Sequence, residues 1–368
     1  MRTFLIIVTT FLSLSDNIPA QDIKASEVKI LMKKVADWQI AHFNDRYSDR
    51  KGSHHPLAWT NAALYVGMAK WAAMADDDRY HNWLKNIGDK NQWKLHHRTY
   101  HADDHAVGQM YIELYRKYNE EKMLEPTVAQ FNFILLHPAK TSLKSGSPYH
   151  LDRWSWCDAL FMSPPVWAKL YSITREDKYL DFLMEEYKAT TNFLFDENEN
   201  LYYRDGKYIG KLDDGKKIFW SRGNGWVFAG LTNIMTELKP QTEEYQYFLE
   251  IYKKMAAKLV SIQTPAGHWA MSLLGQDKYP TPETSGTSFF IYGLAWGINQ
   301  GILDDSTYGP VVRKGWKALV NHITEDGMLG YVQPIGAAPG SAWPDKTEVY
   351  GTGAFLSAGS EVYRLYKK

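Results

Sequence analysis

Leu151–Tyr171 reads LDRWSWCDALFMSPPVWAKLY: a polar and aromatic lead-in that runs into apolar residues at helical spacing. The same two-part phrase recurs along the chain. It is found in HHPLAWTNAALYVGM (54–68), YHADDHAVGQMYIELY (100–115), FWSRGNGW (219–226), TPETSGTSFF (281–290) and EVYGTGAF (348–355), each a loop that ends in the first turn of a helix. Between these stretches the periodicity stays helical, with little strand alternation. It predicts about twelve helices, near 24–45, 57–75, 77–90, 104–118, 120–136, 155–173, 175–194, 224–238, 242–263, 285–301, 305–323 and 351–366. His137-Pro138, Lys239-Pro240, Gly301 and the Pro/Gly-rich run 334–344 punctuate them. Long connections precede helices two, four, six, eight, ten and twelve, and short ones follow them. That alternation is the mark of helical hairpins, and six hairpins close into a ring of inner and outer helices, an all-α (α/α)6 barrel.

If the even helices form the inner ring, their N-termini meet at one mouth, together with the unusual residues that open them: Trp59, Asp103, Asp104, Asp158, Trp220, Arg222 and Trp226. Helix N-termini add unpaired N–H groups and a positive dipole end, which suit an anionic ligand. Asp158 stands among Trp154, Trp156, Phe161, Met162 and Trp167. Water-poor surroundings raise a carboxyl pKa by disfavouring the anion, so Asp158 is a candidate general acid. The alternatives are a helix cap or an arginine partner. One of Asp103 and Asp104 is expected to be an N-cap, and Thr284, Ser285 and Thr287 have the same option. Arg222, flanked by Gly223 and Gly225, suits a binding loop.

The chain has 368 residues and 42 basic against 42 acidic side chains, which gives no electrostatic case for nucleic acid or an anionic membrane. Aromatic residues make up 14%, and flat rings with a polar edge are what sugars stack on. Met1–Ala20 reads as a secretory signal peptide: Arg2, an apolar run too short to span a bilayer, then a small residue at Ala20. Residues 21–368 then form one catalytic domain, expected outside the cytoplasm, in the periplasm or secreted, and monomeric. The lone Cys157 reads as a packed thiol. No cofactor is expected. The loop histidines His54, His55, His96, His97, His101 and His105 lack a paired spacing such as HExxH, so no metal is assigned. Phosphate-cradling glycine loops and a GxSxG elbow are absent.

WCDALFMSPPVW (156–167), DHAVG (104–108), FWSRGNGW (219–226) and SGTSFFIYGLAWGI (285–298) together carry a resemblance. The chain resembles an unsaturated rhamnogalacturonyl hydrolase of glycoside hydrolase family 105, a family related to the unsaturated glucuronyl hydrolases of family 88. The resemblance implies the (α/α)6 barrel. It implies a substrate, an oligosaccharide left by a polysaccharide lyase with a 4,5-unsaturated uronic acid at its non-reducing end. It implies hydration of that C4=C5 double bond, with Asp158 as acid/base and Asp104 as the second carboxylate. Arg222 would then pair bidentately with the substrate carboxylate. Trp59, His150, Trp156, Trp220 and Trp226 would contact the sugar. Many members carry histidine in a LYYH-like run where this chain has LYYRD (201–205), so Arg204 becomes a candidate sugar contact. Rhamnose-linked galacturonate is the default substrate, and unsaturated glucuronate its rival. Two other readings stay open: an inverting glycosidase on saturated sugars, and a silent sugar-binding protein.

Overall fold

The computed structural model describes residues 23–43 and 55–367, so the expected signal peptide and His54 lie outside the described residues. The helices are α1 (Ala25–Ala41), α2 (Trp59–Ala72), α3 (Arg79–Lys90), α4 (Ala102–His105), α5 (Gly108–Tyr118), α6 (Glu125–Leu136), α7 (Ala159–Met162), α8 (Pro164–Thr174), α9 (Asp177–Leu194), α10 (Ser221–Met235), α11 (Glu243–Ser261), α12 (Thr284–Asn299), α13 (Asp305–Val320) and α14 (Val349–Tyr366). Between α9 and α10 lie two small hairpins. They pair β1 (Phe195–Asp196) with β2 (Leu201–Tyr202) and β3 (Leu212–Asp213) with β4 (Lys216–Lys217).

Two kinds of helix are present, and their sequences say which is which. Every residue of α10 is buried, as is Thr284–Ile298 of α12, and these helices are built from small and aromatic residues all round. In α3 only Tyr80, Leu84, Ile87 and Gly88 are buried, a single stripe. A helix apolar on every side must be surrounded, whereas a striped one can cover its neighbours from outside. Accordingly α2, α4–α5, α7–α8, α10, α12 and α14 pack side by side in a closed ring, with α14 returning to α2. Outside them lie α1, α3, α6, α9, α11 and α13. The ring is an (α/α)6 barrel, as the loop alternation predicts.

The ring closes where two glycines meet. A Cβ on Gly67 of α2 would lie 2.0 Å from the Gly353 carbonyl oxygen of α14, and one on Gly353 would lie 2.2 Å from the Ala63 carbonyl oxygen. Backbone therefore lies on backbone at this seam.

Two inner helices depart from the expected single spans. The sixth is broken between α7 and α8, because Pro164 and Pro165 supply no N–H to extend the α7 ladder and instead start a new helix at its favoured first positions. The fourth is broken at Ala106–Val107, both still in right-handed helical conformation. A 2.8 Å hydrogen bond between His105 Nδ1 and Ser163 Oγ ties the two breaks together. Among the described residues no helix is long and apolar enough to cross a membrane.

Candidate active site

Asp158 immediately precedes α7, and its side chain does not cap that helix. Only 9% of the residue is exposed. Cys157 Sγ donates to Oδ2 at 3.4 Å, and Arg204 Nε stands 3.6 Å from the same oxygen. Burial pushes the carboxyl pKa up, and the charges of Arg204 and Arg222 only partly oppose it. The protonated form that general-acid chemistry requires is thus favoured. The Cys157 thiol is buried and its pKa is pushed well up, so it is packing and not a nucleophile.

Arg204 arrives there by backbone pairing. Trp156 and Asp205 form an isolated antiparallel bridge, and the Cys157 N–H donates to the Arg204 carbonyl at 2.8 Å. This brings LYYRD against WCD. The guanidinium also holds Asp205 through Nη1 at 2.6 Å, while its Nε makes no hydrogen bond among the described residues.

Of the two neighbouring aspartates, Asp104 is the one that the resemblance implies as the second carboxylate. Asp104 is 1% exposed and turned to Arg98, which donates to it from Nε (3.1 Å), Nη2 (2.6 Å) and its backbone N–H (2.8 Å). Burial alone would raise its pKa, yet these bonds and the Arg98 charge bring it below the ordinary value, leaving a fixed anion already paired. Asp103 is the carboxyl that feels Asp158. Its pKa rises to about 7, through burial first and then the Asp158 charge. Neither aspartate is the N-cap of α4. That role belongs to His101, whose Nδ1 accepts the Asp103 N–H at 3.3 Å. Burial drives the His101 pKa down to about 3, which keeps the imidazole neutral and able to accept. Its ring lies 4.9 Å from that of Trp156.

Arg222 also differs from expectation. It is fully buried, and its two Nη atoms already donate, to the Gln333 carbonyl at 2.5 Å and the Pro334 carbonyl at 2.9 Å. Two of the five guanidinium N–H donors are thus tied to loop carbonyls. Among the described residues its Nε has no hydrogen-bond partner, and its charge lies 4.5 Å from the ring centroid of Trp220 and 4.8 Å from that of Tyr350. Trp220 is 1% exposed and donates from Nε1 to Gln333 Oε1 at 2.8 Å. Trp226 is wholly buried against Phe161 and Phe289. Trp156 is buried as well. Trp59, partly exposed, stacks on Tyr350 at 5.3 Å and is the tryptophan of the set best placed to offer a face to a sugar. His150 lies in the turn 150–152, bonded to the Ser147 carbonyl at 2.9 Å. No hydrogen bond or ring contact joins it to Asp158 among the described residues.

Glu348, the first residue of the EVYGTGAF phrase, is a further candidate that no motif in the sequence singles out. It is 1% exposed at the start of α14, and among the described residues neither carboxyl oxygen has a hydrogen-bond partner. Burial raises its pKa to about 7 against the opposing charge of Arg222. Unsatisfied buried groups are rare, and they concentrate where water or ligand belongs.

His96, His97 and Asp104 are the described group whose ligand atoms approach closely enough to hold a metal ion. Asp104 is, however, committed to the permanently charged Arg98, which a divalent cation would have to displace. Activity is therefore expected to survive exhaustive chelation. Loss on chelation restored by zinc would show that this group binds metal.

The sequence matches the model of Glycosyl Hydrolase Family 88 over residues 31–366. Two relatives bear the name unsaturated 3S-rhamnoglycuronyl hydrolase. One, from Alteromonas sp., is 38% identical, covering 94% of this chain and 88% of its own. The other, from Formosa agariphila, is 37% identical, covering 92% and 91%. A solved structure named as a polysaccharide lyase superposes with a TM-score of 0.83 at 32% identity, over 94% of this chain and 98% of its own. With a family match over nearly its whole length and relatives of this similarity, the chain belongs to glycosyl hydrolase family 88.

Proposed function

We propose that this protein removes a 4,5-unsaturated uronic acid from the non-reducing end of polysaccharide-lyase products, with Asp158 as general acid and then base. The observation that carries the reading is the buried Asp158, whose pKa burial raises, beside a second raised carboxyl at Asp103. The proton of Asp158 adds to C4 of the enol ether, and the ring oxygen shares the positive charge that develops at C5. Water adds at C5 and gives its proton to the Asp158 carboxylate, which restores the acid. The C5 hemiketal opens to a ketone, C1 is left as a hemiacetal, and its collapse releases the second sugar. One water is consumed and no metal is needed. The names of the two relatives favour a rhamnose-linked glycuronyl substrate. The apolar leader of Met1–Ala20 favours action outside the cytoplasm.

The test is incubation with lyase-generated unsaturated oligosaccharides while the absorbance of the conjugated double bond is followed. Hydration removes that absorbance. A lyase, the activity in the name of one structural relative, would create it from saturated polymer, so the sign of the change separates the two.

Two variants probe the carboxyl pair and its arginine in opposite directions. An ionised Asp103 disfavours ionisation of Asp158, so activity persists to higher pH while Asp103 is present. Asp103→Asn is expected to move the alkaline limb of the pH–rate profile down by about one unit. Arg204 favours the Asp158 anion, and Arg204→His should move the same limb up when the imidazole is neutral. Arg204→His should also change the ratio of kcat/KM for unsaturated galacturonyl-rhamnose and unsaturated glucuronyl disaccharides. A ratio constant within about twofold would show that Arg204 does not select the sugar.

A further inference from the structure

The lumen of the ring is not open from end to end. Phe161, Trp226 and Phe289 pack across it, with centroids 4.7 Å apart for Phe161–Trp226, 4.4 Å for Trp226–Phe289 and 5.5 Å for Phe161–Phe289. Beyond this stopper, between the C-terminal halves of the inner helices, the lumen reopens as a cavity of about 590 Å³. It shares no residue with the candidate active site, which lies at the helix N-termini. Its volume is that of a small-molecule pocket, which spans roughly 300–1,000 Å³.

Charge pairing inside the cavity is incomplete in one direction. Its carboxylates are Glu113, Glu237 and Glu361. Lys169 meets Glu113 and, at 2.9 Å, Glu237; Arg116 meets Glu237 at 2.5 Å; Arg364 meets Glu361 at 2.7 Å. Each carboxylate is therefore already paired. Lys70 and the exposed Lys117 are left over: the Lys70 ammonium lies 5.0 Å from the centroid of the Tyr292 ring and, among the described residues, makes no hydrogen bond or ion pair. Burial lowers its pKa, and the nearby paired glutamates only partly restore it. Lys70 is half-buried on the cavity wall, so its ammonium is open to a ligand entering the cavity, and an anion there would supply the partner that the protein does not.

The neighbours of Lys70 narrow the class of anion. Tyr292 donates to Asn233 Oδ1 at 2.7 Å, and Asn233 Nδ2 donates to Gln109 at 3.4 Å. Asn233 therefore keeps one amide hydrogen and one oxygen lone pair for a ligand. Tyr292 and Trp296 contribute aromatic surface to the wall, on which the C–H face of a sugar ring can lie. A bare inorganic anion would use Lys70 alone. We infer that this cavity is a second binding site, for a small polyhydroxylated carboxylate, a sugar acid whose carboxylate pairs with Lys70 and whose hydroxyls meet Asn233. The inference stands apart from the catalytic reading, because the two ends of the lumen share no side chain.

The experiment is calorimetric titration of D-glucuronate, with glucose as the neutral control, into the wild-type protein and two variants, accompanied by a crystal soaked in glucuronate. Lys70→Met keeps the length of the side chain and removes its charge. Binding should weaken about tenfold or more, the usual worth of a charge-assisted contact, with turnover at the other mouth unchanged. Gln300→Glu places a negative charge on the exposed rim without touching the core; it should weaken glucuronate and leave glucose unaffected. The soaked crystal should show the carboxylate at Lys70. Equal affinity in wild type and both variants, or a carboxylate found only beside Arg222, would overturn the assignment.

Discussion

Asp158→Asn is expected to lower kcat by about 100-fold or more while the protein stays folded, since general acid–base catalysis is typically worth that much. The amide keeps the shape of the carboxyl and loses the transferable proton. Little in the structure depends on the charge: Asp158 accepts a thiol hydrogen bond at 3.4 Å, and Arg204 stands 3.6 Å away. Because burial raises the Asp158 pKa, ionising it costs folding free energy. That loss sets in as pH rises above the unfolded-state value and is complete once pH passes the folded-state value. The variant escapes it, so its melting temperature should equal or exceed the wild type's at pH 8, with the difference shrinking towards pH 4. A variant that kept more than about a tenth of wild-type kcat would remove Asp158 from the acid role.

Gly353→Ala should cost about 3 kcal/mol of stability, at the upper end of ordinary overpacking. The added methyl would meet the Ala63 carbonyl at 2.2 Å, and the obstacle is the backbone of α2, which cannot rotate aside. Either the two helices separate or the ring opens at its seam. Urea unfolding of both proteins measures the effect through the midpoint at constant slope. A loss below about 1 kcal/mol would mean that the seam has slack and that close packing at this point is not what closes the barrel.

The barrel is legible in the sequence because long and short connections alternate between the expected helices, and because polar and aromatic residues gather at the starts of the even-numbered ones. Each of the twelve expected spans overlaps a helix, although α10, α12 and α14 start before the expected residue, and Pro164-Pro165 marks in the sequence the break that divides the sixth inner helix. The choice between Asp103 and Asp104 was not legible. Neighbouring residues on a helix point about 100° apart, and which of them faces Asp158 is settled by Arg98, in the preceding loop, taking the other. The state of Arg222 was hidden for a similar reason. Both Nη atoms donate to carbonyls at Gln333 and Pro334, more than 100 positions away, and no local pattern announces such a partner. Glu348 was visible as a letter, but its lack of any hydrogen-bond partner is a property of the assembled mouth.

The seam between Gly67 and Gly353 has a kinetic side. These residues are 286 positions apart in the chain, so the last contact of the ring is also among its most distant in sequence. During synthesis the earlier hairpins emerge as an open arc, with the face of α2 around Ala63 and Gly67 bare until Val349–Tyr366 has left the ribosome and docked. Contacts of such long span form slowly, and apolar edges left waiting for them are where nascent chains aggregate. The helix that finishes the barrel thus decides how long the growing polypeptide remains vulnerable.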